Sequence, residues 1–413
     1  MVSESTKFSA AQADALNKII ADAISSKTTG AVFFGVTTAH GPIYMHAAGT
    51  KLPDDPESGA IDEDTVFWLC SQTKLITTIA ALQLVDQGKI TLDTLVETVL
   101  PELAAPVVVT GDADKPITAT SAQNKITFGQ LLNHSSGLDY ALYRSSVPYQ
   151  LSKVYAHSYK DEDVSAFFKI LRGSLSSVPL SFEPGTSFAY GFGTDCAGFV
   201  VERLSGKSLE QYFQDHIFSP LGITSASFYL SPPLKDRLLP LAQRNESGVV
   251  ERWNRPSVFD QNPAHVRVHM GGVGRYSSQK DYLTVLRHLL QIKAGPALNP
   301  ILSRASVDNM FSPTLTPAGA TAFSGMVDPH LGLPTGAGQY SRGLFVNTAD
   351  VPGKRRSGSG AWGGWASTDY FVDPTTGIAA VFGMQVAPTS DNTHRRLLDV
   401  LEREVYTALG VTV

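Results

Sequence analysis

The chain has only two cysteines in 413 residues, Cys70 and Cys196, and two thiols cannot build the disulfide framework of a secreted scaffold. A cytoplasmic location is the expectation. Positive charge is not in excess: 33 Lys and Arg stand against 38 Asp and Glu, a formal net charge of −5. Neither a basic face for nucleic acid nor a polybasic patch for a membrane is on offer. No apolar run approaches the roughly 20 residues that a membrane-spanning helix needs. The N-terminal stretch mixes Asp and Glu with apolar residues at helical spacing (Ala13, Leu16, Ile19, Ile20, Ala23, Ile24), unlike the unbroken core of a signal peptide. The chain lacks the Gly-x-Ser-x-Gly elbow that anchors a Ser-His-Asp hydrolase. His265 and His269 lie four apart without a third ligand or a His-Glu-x-x-His pattern, so no metal and no cofactor is expected. Small-molecule partners are favoured, with no nucleic acid and no membrane among them.

What the chain does have is a serine and a lysine one helical turn apart, in Trp68-Leu69-Cys70-Ser71-Gln72-Thr73-Lys74-Leu75. Residues three apart on a helix share a face, so the Lys74 amine can reach Ser71 Oγ and take its proton. Free N–H groups at the same helix end can stabilise an oxyanion formed at Ser71. The stretch alone fits equally well an N-cap serine followed by a solvated lysine. The same spacing recurs in Ser277-Ser278-Gln279-Lys280-Asp281, which reads as a helix N-cap with an acidic partner and is taken as structural. Cys70, beside Ser71, reads as a small packed residue.

In chain order, an N-terminal helix precedes two strands, Gly30 to Val36 and Pro42 to Gly49, that read as a hairpin. Thr65 to Leu69 leads into the Ser71 helix, whose Leu75, Ile79, Leu82 and Val85 recur at helical spacing until Gly88. From Thr91 to about residue 240 the pattern is helical and loop-rich, and strand signals are scarce. Tyr140, Tyr143, Tyr149, Tyr155 and Tyr159 cluster here; packing of a long loop is favoured for them over a substrate-pocket wall. Strand signals return at Ser341 to Val346, Trp365 to Val372 and Gly377 to Val386, before a last helix from about Asn392 to Leu409. The fold class implied is α+β: one antiparallel sheet built from the N- and C-terminal segments, flanked by helices, with a large all-helical insertion. The expected domains are a discontinuous sheet unit, 1–70 with 330–413, and a mostly helical unit, 71–329, with the active site at their junction.

Three stretches stand in a telling order: Ser71-Gln72-Thr73-Lys74, then Phe182-Glu183-Pro184-Gly185-Thr186-Ser187-Phe188-Ala189-Tyr190-Gly191, then Gly360-Ala361-Trp362-Gly363-Gly364-Trp365. Together they resemble the three active-site motifs of class C β-lactamases, penicillin-binding peptidases and the related serine esterases and acyltransferases. The resemblance runs from about Asp62 to Val386 and takes in Leu131-Leu132-Asn133-His134-Ser135-Ser136-Gly137-Leu138 and Gly271-Gly272-Val273-Gly274 as structural signatures. It implies a β-lactamase/transpeptidase-like fold with Ser71 as nucleophile and Lys74 and Tyr190 sharing the general-base work. It also implies an oxyanion hole from the backbone N–H groups of Ser71 and Trp365.

The departures narrow the reading. Family members acting on peptidoglycan or β-lactams usually carry Tyr-x-Asn and Lys-Thr-Gly, where this chain has Tyr190-Gly191-Phe192 and Trp362-Gly363-Gly364. Without a cation at Trp362 a substrate carboxylate is poorly held, and an aromatic wall suits an apolar acyl or alcohol group. Trp362, Gly363, Gly364 and Tyr140 are therefore the expected substrate contacts, the glycines letting an edge strand approach the reacting carbonyl. The pattern looks like the branch of family VIII carboxylesterases and lovastatin-type acyltransferases. The leading expectation is a serine ester hydrolase or acyltransferase acting on small hydrophobic esters, with an acceptor alcohol if it transfers. A β-lactamase or D-Ala-D-Ala peptidase, and a non-catalytic binding protein with the same fold, are the alternatives.

Overall fold

The computed structural model describes residues 6–110, 118–142, 151–256, 258–295, 297–331, 336–388 and 392–411. Both chain ends enter one eight-stranded sheet. The N-terminal part supplies β1 (Ala31–Thr38), β2 (Pro42–Leu52) and β3 (Asp55–Ala60). The C-terminal part supplies β4 (Gly338–Tyr340), β5 (Phe345–Asn347), β6 (Gly360–Gly364), β7 (Thr368–Asp373) and β8 (Ile378–Gly383). The order is β4-β5-β6-β7-β8-β1-β2-β3, and every neighbouring pair is antiparallel. The seam is β8 on β1, from Phe33 opposite Gly383 to Thr38 opposite Ile378. Both strands are buried along their whole length, which is why they read as nearly unbroken apolar, β-branched and aromatic runs rather than alternating ones.

Five helices matter for the site: α1 (Ala10–Ser25), α2 (Thr73–Asp86), α3 (Gly193–Ser205), α4 (Gln279–Ala294) and α5 (Asn392–Ala408). Val32, Phe34, Ala380 and Phe382 on one sheet face pack with Leu16 and Ile20 of α1 and Leu401 and Val405 of α5. Phe33 and Val381 on the other face join the larger core that includes Leu75, Ile79 and Leu82 of α2. From Thr73 to Leu84 every residue of α2 is buried, so the Ser71 helix is central, and its threonines, Lys74 and Gln83 are enclosed along with its apolar stripe. Among the described residues no helix is long and apolar enough to cross a membrane.

Three expectations need correction. Ser341 to Val346 is not one strand: Ser341, Arg342 and Gly343 turn the chain between β4 and β5, with Gly343 at φ 81°. A side chain there would collide with Thr78, a Cβ standing 2.4 Å from its Oγ1. Trp365 to Ser367 is likewise a turn, Ser367 at φ 54°, so the last motif's glycines end β6 and β7 begins only at Thr368. The helical middle also contains a small sheet of Val107–Thr110, Thr118–Ser121 and Pro179–Leu180. Its members are two to four residues long, too short for a period to register.

Candidate active site

Ser71 sits where the strand Val66–Trp68, paired with Tyr276–Ser278, breaks into α2. The break is sharp. Cys70 takes φ 47°, a conformation unusual for a residue with a Cβ, and it turns the next side chain toward the cavity. Cys70 itself is buried and unpaired. Burial pushes its thiol up from the usual value, which leaves it a poor nucleophile.

Lys74 is wholly buried and spends its three hydrogens on Ser71 Oγ at 3.3 Å, the Tyr140 hydroxyl at 3.2 Å and the Gly272 carbonyl at 2.9 Å. It also lies 4.6 Å from the centre of the Tyr190 ring, an attraction of cation for π face. The solvated-lysine reading is therefore excluded.

Tyr190 is held by two loops zipped together: Gly185 N–H on Ser135 O (2.8 Å), Ala189 N–H on His134 O (3.0 Å) and Tyr140 N–H on Tyr190 O (3.2 Å). This is the physical content of the Leu131-to-Leu138 signature. Gly191 has no room for a side chain, since a Cβ there would stand 1.7 Å from the Leu138 carbonyl. Phe192 takes the place of the amide usual in the β-lactam-binding pattern; it is buried and packs edge-on against Tyr140 at 4.6 Å. The Tyr190 hydroxyl accepts a hydrogen bond from Trp362 Nε1 at 2.9 Å. Trp362 is thus more than an apolar wall.

β6 is not an edge strand, being paired with β5 and β7. Its partner β5 reaches only Gly360 and Ala361, however, which leaves Trp362 to Gly364 open on that side. The reason for glycine at Gly364 also differs from the one expected: a Cβ there would stand 2.5 Å from the Leu69 carbonyl, so it is the nucleophile's own turn that β6 approaches. The backbone N–H groups of Trp365 and Ser71 both lie near enough to the Cys70 thiol to favour its charged form, which places the two donors close together at the Ser71 turn. A cavity of about 410 Å³ is lined by Ser71, Tyr190, Trp362, Gly363, Gly364 and Trp365 among others. Tyr140, expected as a substrate contact, does not line it; its hydroxyl lies behind Lys74.

Sequence reasoning missed Asp195, and read Tyr155 only within the tyrosine cluster and Gly272 only as part of a structural signature. Tyr155 donates to Asp195 Oδ2 at 2.8 Å, and Gly272 N–H donates to Asp195 Oδ1 at 2.7 Å. The available signal was Asp195 itself, a lone carboxylate heading the apolar run Cys196-Ala197-Gly198-Phe199-Val200-Val201, which the structure buries fully in the first turn of α3. Tyr155 and Tyr159 are buried in the core, as the packing reading of the cluster holds for those two, while Tyr143 and Tyr149 lie outside the described residues. Among the described residues no group of three or more potential metal ligands is found; His265 is engaged by Asp260 and Asn262, and His269 by Glu202 and Tyr229.

The fold is that of the penicillin-binding and β-lactamase type. The solved structure of simvastatin synthase from Aspergillus terreus matches with a TM-score of 0.81 at 27% identity, covering 97% of this chain and 99% of that one. The chain belongs to the beta-lactamase family, whose model matches residues 16–403. Its relatives include lovastatin esterase of Penicillium rubens, 32% identical over 92% of this chain and 95% of that protein. Monacolin J acid methylbutanoyltransferase of Aspergillus terreus is 31% identical over 83% and 82%. The esterase and acyltransferase branch read from Trp362-Gly363-Gly364 is where the relatives lie.

Proposed function

We propose that this protein is a serine ester hydrolase or acyltransferase that works through an acyl-enzyme on Ser71, with small apolar esters as substrates. The observation that carries the reading is the buried Lys74 donating to Ser71 Oγ at 3.3 Å, next to a cavity walled by Trp362 and Trp365. Ser71 Oγ attacks the ester carbonyl while its proton passes to Lys74, Tyr190 standing by as the second proton-transfer group. The oxyanion is met by the N–H groups of Ser71 and Trp365. The alkoxide leaves with the proton, and water or an acceptor alcohol then attacks the acyl-enzyme by the reverse sequence.

Both outcomes are represented among the relatives, one named as an esterase and one as a methylbutanoyltransferase. An apolar acyl group of a few carbons fits the second name. We further propose that the site lies at the junction of the sheet unit, 1–70 with 330–413, and the mostly helical unit 71–329. The two buried, unpaired cysteines suit the reducing cytoplasm. Intact-mass measurement after mixing with activated esters of several chain lengths tests the assignment. One acyl adduct is expected on the wild type and none on Ser71→Ala; an adduct surviving on Ser71→Ala sinks it.

A further inference from the structure

Behind Lys74 runs a closed circuit of hydrogen bonds that attack by Ser71 does not by itself require. The Lys74 ammonium donates to the Tyr140 hydroxyl at 3.2 Å, the Tyr140 and Tyr155 hydroxyls lie 2.8 Å apart, and Tyr155 donates to Asp195 Oδ2 at 2.8 Å. Gly272 closes the ring: its N–H donates to Asp195 Oδ1 at 2.7 Å and its carbonyl accepts from Lys74 at 2.9 Å. A Cβ on Gly272 would stand 2.7 Å from the Asp195 carboxylate, so only glycine lets the acid sit so close. The sense of the chain is fixed at both ends, because an ammonium can only donate and a carboxylate can only accept. Tyr140 accepts from Lys74 and Tyr155 donates to Asp195, so the hydrogen of Tyr140 must point at Tyr155.

We propose that this one-way chain is a proton relay, and that Asp195 is a positioning residue that takes the Lys74 proton through Tyr140 and Tyr155 so that Ser71 meets a neutral amine. The inference rests on Ser71 as the nucleophile. In the relay an Nζ–H bond of Lys74 breaks as an O–H bond forms on Tyr140. The original Tyr140 proton passes to Tyr155, and the original Tyr155 proton passes to Asp195 Oδ2. Ammonium and carboxylate become amine and acid, and no proton enters or leaves the protein. When Ser71 attacks, Lys74 takes the Oγ proton and becomes ammonium again, with a neutral acid behind it.

The surroundings suit this. Burial pushes the Asp195 carboxyl up toward its neutral form, against the pull of Lys74. Tyr140 and Tyr155 are pushed well above the usual phenol range, chiefly by burial, so they pass protons on rather than hold charge. Of the other titratable groups facing Lys74, Cys70 is pushed up by burial and His134 is held neutral by it, while Tyr190 presents its ring. Facing Asp195, Tyr159 and Cys196 are likewise raised by burial.

The test is kcat and KM for a short-chain aryl ester, from pH ~5.5 to ~9.5, on the wild type, Asp195→Asn and Tyr155→Phe. The wild type reaches the amine without net loss of a proton and keeps its kcat toward acid pH. Each variant must instead lose the Lys74 proton to solvent. Its kcat is expected to fall roughly 100-fold at the acid end and to recover at the alkaline end, with KM changed less than about threefold. An equal loss at every pH overturns the relay in favour of a merely structural role. So does an Asp195→Asn enzyme that outperforms the wild type at acid pH, because the acid would then only have held Lys74 as ammonium. Should Asp195→Asn fail to fold, Tyr155→Phe decides alone, since it keeps the ring and the carboxylate. Acyl adducts counted by intact mass on the same samples, with Ser71→Ala beside them, separate a failed relay from a failed nucleophile assignment.

Discussion

At the scale of single residues, the contact between Trp362 and Tyr190 is the one that ties the last motif to the proton chemistry. A donor at 2.9 Å from the Tyr190 oxygen strengthens as negative charge builds there. Trp362→Phe keeps an aromatic wall and removes only that donor, so kcat/KM for a short-chain ester is expected to drop about 2- to 10-fold, the worth of one neutral hydrogen bond. Tyr190→Phe removes the proposed proton-transfer group itself and is expected to cost about 100-fold or more with the fold intact by circular dichroism. A Trp362→Phe loss as large as that of Tyr190→Phe would show that the indole positions substrate as well. The sequence made the missing cation at Trp362 legible, because residue type alone carries it. The hydrogen bond was not legible, since no spacing rule links two residues 172 apart in the chain.

At the scale of elements, the second Ser-x-x-Lys stretch shows how the same spacing can be empty of chemistry. The cap of α4 is Ser278, whose hydroxyl accepts from Asp281 N–H at 3.2 Å, while Lys280 is turned outward to Asp64 and Glu63. Ser277 pairs with Ser225 and the backbone of Ser278 instead. Ser278→Ala is therefore expected to lower the unfolding free energy by about 1 kcal/mol in urea titrations with ester kcat unchanged. A change in kcat beyond about twofold would mean that α4 reaches the site through the hydrogen bonds of Gln279 and Tyr282 to Gln72, next to Ser71. The capping signal was readable because it is local. The turn at Ser341 to Gly343 was not, because it is imposed by Thr78 of α2, far away in sequence. The hairpin β1–β2 and the last helix were readable for the same reason as the cap: neighbouring residues alone dictate them.

Stability belongs to the whole molecule, and His134 links it to pH. The ring is fully buried between Phe188, Tyr190 and Tyr340, with Gly191 N–H donating to Nδ1 at 3.4 Å. Burial, with Lys74 adding to it, holds its pKa well below the usual 6.5. A depressed histidine binds its proton more readily in the unfolded chain, so its contribution is fully present above about 6.5 and is lost as pH falls below that value. Urea unfolding at pH ~7.5 and ~5.5 is expected to show a larger loss for the wild type than for His134→Gln. Equal losses would place the acid sensitivity in other groups.

Substrate choice is likewise a property of the assembled molecule, since Ser71 comes from the centre of the fold, Tyr190 from the helical middle and Trp362 from the sheet. The β-lactam pattern places a lysine at the position of Trp362, where it offers a charge-assisted hydrogen bond to a substrate carboxylate. Such a bond is typically about 1.5–3 kcal/mol, so its absence is expected to cost a cephalosporin roughly ten- to hundredfold. An uncharged ester loses nothing and gains apolar contact with Trp362 and Trp365. The ratio of kcat/KM for a short-chain aryl ester to that for a chromogenic cephalosporin is therefore expected to be large, and a preference for the cephalosporin would refute the esterase reading. Trp362→Lys removes the donor to Tyr190 as it adds the cation, so its ester rate is expected to fall while the ester-to-cephalosporin ratio moves toward the β-lactam. A variant in which both rates fall equally would leave the assignment standing and move the source of the preference to Phe192, which fills the place of the usual amide.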